Sequence, residues 1–131
     1  VDKRRPKANV SEVMSLIGDV ADKNVLIRDD MVDTAGSICQ AADYLKARGA
    51  RDIYAACTHG VLSGQALERI ENSPIKKIII SDSIDQTRKP LSDKYVILTC
   101  SDLIGESIRR ISGEESVSSL FEEAPTKGQN N

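Results

Sequence analysis

The segment spanning residues 25–37 constrains the fold more than any other part of the chain. An apolar run of strand length, opening with Val25-Leu26-Ile27, meets the carboxylates of Asp29 and Asp30. Met31-Val32 then leads into Asp33-Thr34-Ala35-Gly36-Ser37, which is rich in small and hydroxyl side chains. Beyond Gly36 the apolar positions fall at Ile38, Ala41, Ala42 and Leu45, a helical period, and Gly49 supplies the expected stop. The order is strand, loop, helix.

The same alternation runs through the rest of the chain. Residues 51–58 read as a strand whose second half is almost continuously apolar, as a parallel sheet covered on both faces requires. His59 and Gly60 are expected to end it, with His59 as a wall of any site at the sheet edge. Leu62-Ser63-Gly64 opens a helix over Ala66, Leu67 and Ile70, with Ser63 as its N-cap. Residues 77–80 and 95–100 read as further strands, and Ser101 or Asp102 caps a helix through Leu103, Ile104, Ile108 and Ile111. Residues 10–20 have a periodicity that fits either a strand or a short helix. Alternating elements of this kind predict a parallel α/β domain.

Composition bounds the function. The 131 residues suit one domain whose core must be aliphatic, since aromatics make up 3% and Trp is absent. A net charge of −2 gives no global electrostatic case for nucleic acid or a membrane surface. The basic cluster Asp2-Lys3-Arg4-Arg5-Pro6-Lys7 is expected to be a mobile arm. It has no aromatic platform beside it, which argues against nucleic acid and leaves a solvated tail or a polyphosphate clamp. No apolar run approaches bilayer length and no signal-peptide pattern is present, so a soluble cytoplasmic protein is expected. Cys39, Cys57 and Cys100 are odd in number and lack a C-x-x-C spacing, which reads as reduced packing thiols.

The turn after the first strand has a chemistry of its own. Backbone N–H groups at a helix start are unpaired and carry the positive end of the dipole, so residues 34–37 suit a phosphate. Gly36 would admit close approach. Carboxylates repel that phosphate, which leaves Asp29 and Asp30 for sugar hydroxyls, bound directly or through a divalent metal. The same residues would also serve an ordinary capped strand-to-helix turn. Neither a Walker loop nor a dinucleotide fingerprint is present.

With D-K-R-R-P-K-A-N-V upstream and T-H-G-V-L-S-G downstream, the sequence D-D-M-V-D-T-A-G-S resembles the ribose-phosphate pyrophosphokinase family, whose domains have the type I phosphoribosyltransferase fold. The resemblance runs over residues 1–121. It implies a Rossmann-like three-layer α/β domain, the C-terminal half of a longer enzyme, followed by a disordered tail over residues 122–131. It also implies an extended segment over residues 10–20 that turns near Gly18 and Asp19.

The activity implied is transfer of diphosphate from ATP to ribose 5-phosphate with Mg²⁺, in a fragment expected to be inactive alone. By the same resemblance, Lys3 and Arg5 would be catalytic, and Asp33, Thr34, Ala35, Gly36 and Ser37 would hold the 5-phosphate. Asp29 and Asp30 would hold the ribose or its metal. Ser116, Val117, Ser118 and Phe121 would line a regulatory site for phosphate or ADP between subunits of a hexamer built from dimers. Arg28 and Ser119 depart from the family pattern, which favours an apolar residue and a Tyr. A phosphoribosyltransferase and a non-catalytic regulatory subunit are the alternatives.

Overall fold

Four runs dense in β-branched and aliphatic residues pair as parallel strands, and the connections between them supply the helices. A computed structural model describes residues 2–4, 13–16 and 18–122. In order these form β1 (Asp2–Arg4), β2 (Val13–Ser15), β3 (Val25–Val32), α1 (Gly36–Ala47), β4 (Ile53–Gly60) and α2 (Ala66–Glu71). β5 (Ile75–Ser81), β6 (Tyr95–Leu98), α3 (Ser101–Ser112) and α4 (Ser119–Glu122) follow. The main sheet has the order β3-β4-β5-β6, every pair parallel, with Val25 opposite Ile53, Ala55 opposite Ile78 and Ile78 opposite Tyr95. This is the mainly parallel α/β architecture the sequence predicts.

The chain divides into two compact units, Val1–Leu98 and Thr99–Asn131. In the first, strand alternation places Ile53, Ala55 and Cys57 of β4 and Ile78 and Ile80 of β5 in one buried cluster. Ile38, Ala42 and Leu45 of α1 and Ala66 and Ile70 of α2 complete it. Strands laid down in sequential order with right-handed crossovers carry their helices on one face, which is why α1 and α2 share this core. On the alternate positions Leu26, Val96 and Leu98 are exposed.

Several local expectations are corrected. Asp2–Arg4 is not a free arm but β1, antiparallel to β2 with Lys3 opposite Met14. Strand pairing uses backbone groups that every residue here carries, so a run of basic side chains does not forbid it. Part of the segment over residues 10–20 is extended, as β2, and the chain turns at Gly18, where φ is 98°. His59 and Gly60 end β4, as expected, and the strand begins at Ile53 rather than at residue 51.

Gln86 packs against the end of β4. Buried against Gly60, it donates from Nε2 to the Gly60 carbonyl at 2.7 Å. A Cβ on Gly60 would stand 3.2 Å from that nitrogen and 3.1 Å from Ile80 Cδ1. Ser63 does not cap α2, whose N-cap is Gln65 without a side-chain bond. Neither Ser101 nor Asp102 caps α3; Cys100 holds that position, and Thr99 Oγ1 accepts the Ser101 N–H at 3.1 Å.

The second unit is held by local pairs. Glu106 bonds Arg109 at 2.7 Å and Arg110 at 3.0 Å, one turn along α3. The two guanidiniums hold its carboxyl down to about 2.

Candidate functional site

The site forms where β3 ends and α1 begins, at the C-terminal edge of a parallel sheet, which is where ligands enter folds of this kind. Val32 is buried and anchors the strand end, so the chain must turn abruptly to start a helix that packs on the same core. It does so through Ala35, which adopts left-handed φ 65° and ψ 10° at the N-cap of α1. That conformation is costly for a residue with a Cβ. A left-handed residue followed by a helical one turns successive N–H groups to the same side, making an anion-binding concavity. The concavity coincides with the N-terminus of the 12-residue α1 and its dipole.

Asp29, Met31 and the continuous run 32–38 line a cavity of about 340 Å³ around this turn. Thr34 and Ser37 bring hydroxyls to it. A Cβ on Gly36 would meet nothing closer than Arg69 Nη1 at 3.9 Å and Thr34 Oγ1 at 4.0 Å. Packing within the protein therefore does not demand glycine there, and close approach of a ligand remains its physical reason.

The two acids part company. Asp29 lines the cavity and Asp30 does not. Asp29 Oδ1 accepts the Asp30 N–H at 2.8 Å. Asp33 lines the cavity, but its carboxylate receives a hydrogen bond from Ser63 Oγ, and its carbonyl receives the Ser63 N–H at 2.9 Å. The Val61 and Leu62 N–H groups both donate to the Val32 carbonyl, at 3.0 and 3.1 Å. The Arg69 Nη1 of α2 donates to the Thr34 carbonyl at 2.9 Å. Ser63 and Arg69 are thus partners of the turn that the sequence did not reveal. T-H-G-V-L-S-G pointed to the neighbourhood of Ser63, whereas nothing in the sequence marked Arg69.

Other expected residues lie elsewhere. His59 stands opposite Met31 in the sheet, with its Nδ1 2.8 Å from Ser83 Oγ, and is not among the cavity's lining residues. Arg28 is exposed and lies opposite Ala56. Lys3 is in β1, and Arg5 lies outside the described residues. Ser116, Val117, Ser118 and Phe121 belong to the second unit. There Ser116 Oγ is 3.0 Å from Ser118 Oγ, Arg110 donates to the Ser116 carbonyl at 3.1 Å, and Phe121 is 73% exposed.

Cys39, Cys57 and Cys100 form no disulfide, in keeping with the expected reduced state. Burial pushes the Cys57 thiol up to about 11 and raises that of Cys39, as packing groups rather than nucleophiles. Among the described residues no three His, Cys, Asp or Glu side chains gather as a metal cage. Asp29 by itself is too few ligands to hold a divalent cation.

A concavity of N–H groups at the first crossover of a parallel sheet, with an acid at the preceding strand end, is the candidate site of this α/β domain. The phosphoribosyl synthetase-associated domain family matches residues 3–122, and the chain belongs to that family. It is 54% identical over 122 residues to a ribose-phosphate pyrophosphokinase of Clostridium tetani, covering 93% of this chain and 38% of that protein. It is also 54% identical over 127 residues to the Bordetella pertussis enzyme of the same name, covering 92% and 39%. The crystal structure of phosphoribosylpyrophosphate synthetase from Mycobacterium smegmatis superposes with a TM-score of 0.72 at 32% identity, over 75% of this chain and 33% of that one. The chain therefore spans about two-fifths of the length of the curated relatives it matches.

Proposed function

We propose that this chain is the C-terminal, ribose 5-phosphate-binding part of a ribose-phosphate pyrophosphokinase. The observation that carries the reading is the joining of Asp29 and the turn over residues 34–37 around one cavity. The turn offers N–H groups and hydroxyls to the 5-phosphate, and Asp29 accepts from ribose hydroxyls or orients a magnesium ion. Asp30 contributes charge from outside that cavity.

In the reaction, the anomeric oxygen forms a bond to the β-phosphorus of ATP. The bond from that phosphorus to the oxygen bridging the α-phosphate breaks, AMP leaves, and the hydroxyl proton passes to solvent. Magnesium, when bound, neutralises the polyphosphate, and Lys3 and Arg5 stabilise the transferring group. The rest of the ATP site lies in the part of the relatives that this chain does not span.

Titration calorimetry with ribose 5-phosphate tests the half-site. We expect weak saturable binding, reduced about tenfold or more by Asp29→Asn, as follows when a charged hydrogen bond to a sugar hydroxyl is lost. Equal binding by the variant would remove Asp29 from the site.

In the same reading Ser116, Val117, Ser118 and Phe121 hold phosphate or ADP between subunits of a hexamer built from dimers. The 73% exposed Phe121 ring is what an interface would cover. Sedimentation of the longer enzyme with and without Phe121→Ala tests that role; unchanged assembly and unchanged ADP response would refute it.

A further inference from the structure

The Thr34 carbonyl and the Ala35 N–H belong to one trans peptide, so they point in opposite directions. Whatever holds the carbonyl on one side aims the N–H to the other. Arg69 holds that carbonyl, at 2.9 Å from Nη1. It stands outside the cavity that Thr34, Ala35 and Gly36 line, and instead borders a separate groove with Asp43, Gln65 and Glu68. The carbonyl is therefore drawn away from the phosphate cradle and the N–H is turned into it. A charged donor also polarises the peptide, which strengthens its N–H as a donor to an anion.

We propose that Arg69 is a positioning residue, clamping the Thr34–Ala35 peptide so that the Ala35 N–H faces the phosphate. The inference rests on the ribose 5-phosphate reading given above. Two further features agree with it. The turn it grips is strained at Ala35, with φ 65°, so it needs an external hold to keep one conformation. The segment that carries α2 to this position is itself bonded to the turn through Ser63 and Asp33, and it contains Leu62 at φ 53°. A bulky residue in that region is rare, and beside it the Val61 and Leu62 N–H groups both donate to the Val32 carbonyl. The two strained turns are thus tied to each other, and Arg69 adds a bond to the Thr34 carbonyl from outside the cavity.

The test compares Arg69→Ala and Arg69→Lys with the parent chain. Ribose 5-phosphate affinity should fall about tenfold in Arg69→Ala and recover to within roughly threefold in Arg69→Lys, because Lys retains a charged donor for the carbonyl. Thermal midpoints should stay close to the parent, since the side chain is exposed. Without ligand, ¹⁵N relaxation should show order parameters at residues 34–37 dropping from about 0.85 toward 0.6 in Arg69→Ala and returning in Arg69→Lys. Equal affinity in Arg69→Ala, or unchanged order parameters, would overturn the clamp. If the parent chain binds no ribose 5-phosphate, the ligand reading fails, and the relaxation data still decide whether Arg69 fixes the turn.

Discussion

Single residues set the character of the cradle. Ala35 pays for a left-handed backbone that glycine adopts without strain, and the methyl group that glycine would lose is one small member of the core cluster. Ala35→Gly should therefore stabilise the chain by about 0.5–1 kcal/mol, read from the denaturant midpoint at constant slope. A lower midpoint would mean that packing of the methyl group outweighs the strain. Cys57 gives a pH signature. Its thiol titrates near 9.0 when free and about 11 when folded, because burial disfavours the thiolate. Above pH 9 the unfolded chain releases a proton that the folded chain retains, so unfolding is favoured. Stability supported by the buried thiol is complete below pH 9 and is lost as pH rises toward 11. Melts of Cys57→Ala against the parent over that window should show a shallower decline in the variant, from whatever starting stability.

At the scale of elements, β5 shows how one strand serves two environments. Ile78 has no exposed surface and sits in the cluster under α1 and α2, whereas its neighbour Ile79 faces the other side and is only half-buried. Ile78→Ala should cost about 3–4 kcal/mol and Ile79→Ala under about 1.5 kcal/mol, measured by urea unfolding. Similar costs would show that the second face is covered as well as the first. The run Ile78-Ile79-Ile80 was legible as a strand, but its burial asymmetry was not. A continuous apolar run carries no alternation from which to assign faces. The same limit applies to Ser63. Its position before a helix suggests a cap, yet its hydroxyl is taken by Asp33, 30 residues away in sequence, where no local rule reaches.

At the scale of the whole molecule, the comparison with longer relatives matters most. A chain that spans 38% of the Clostridium tetani protein is expected to bind the acceptor sugar without completing the transfer. Purified alone, it should form no AMP from ATP and ribose 5-phosphate with magnesium. A protein of the relatives' length containing this chain should form AMP, and lose that activity in Lys3→Ala/Arg5→Ala while keeping ribose 5-phosphate binding. Turnover by the 131-residue chain, or unchanged turnover in the double variant, would overturn these assignments. No helix among the described residues is long and apolar enough to cross a membrane, as hydropathy anticipated.

The sequence by itself determined the order of strands and helices from β3 to α3, the parallel α/β class and the place of the turn between β3 and α1. Each of these is written in short-range patterns: apolar runs of strand length, a helical period after Gly36, and glycine where the chain stops or turns. Only the tertiary structure decided which neighbours complete the turn. It placed Asp29 at the cavity and Asp30 outside it, tied Asp33 to Ser63, and brought Arg69 against the Thr34 carbonyl from 35 residues away. Those contacts depend on where α2 lands once the sheet has formed. That landing is fixed by burial of Ala66 and Ile70 against the common core and by the bonds that residues 61–63 make to Val32 and Asp33.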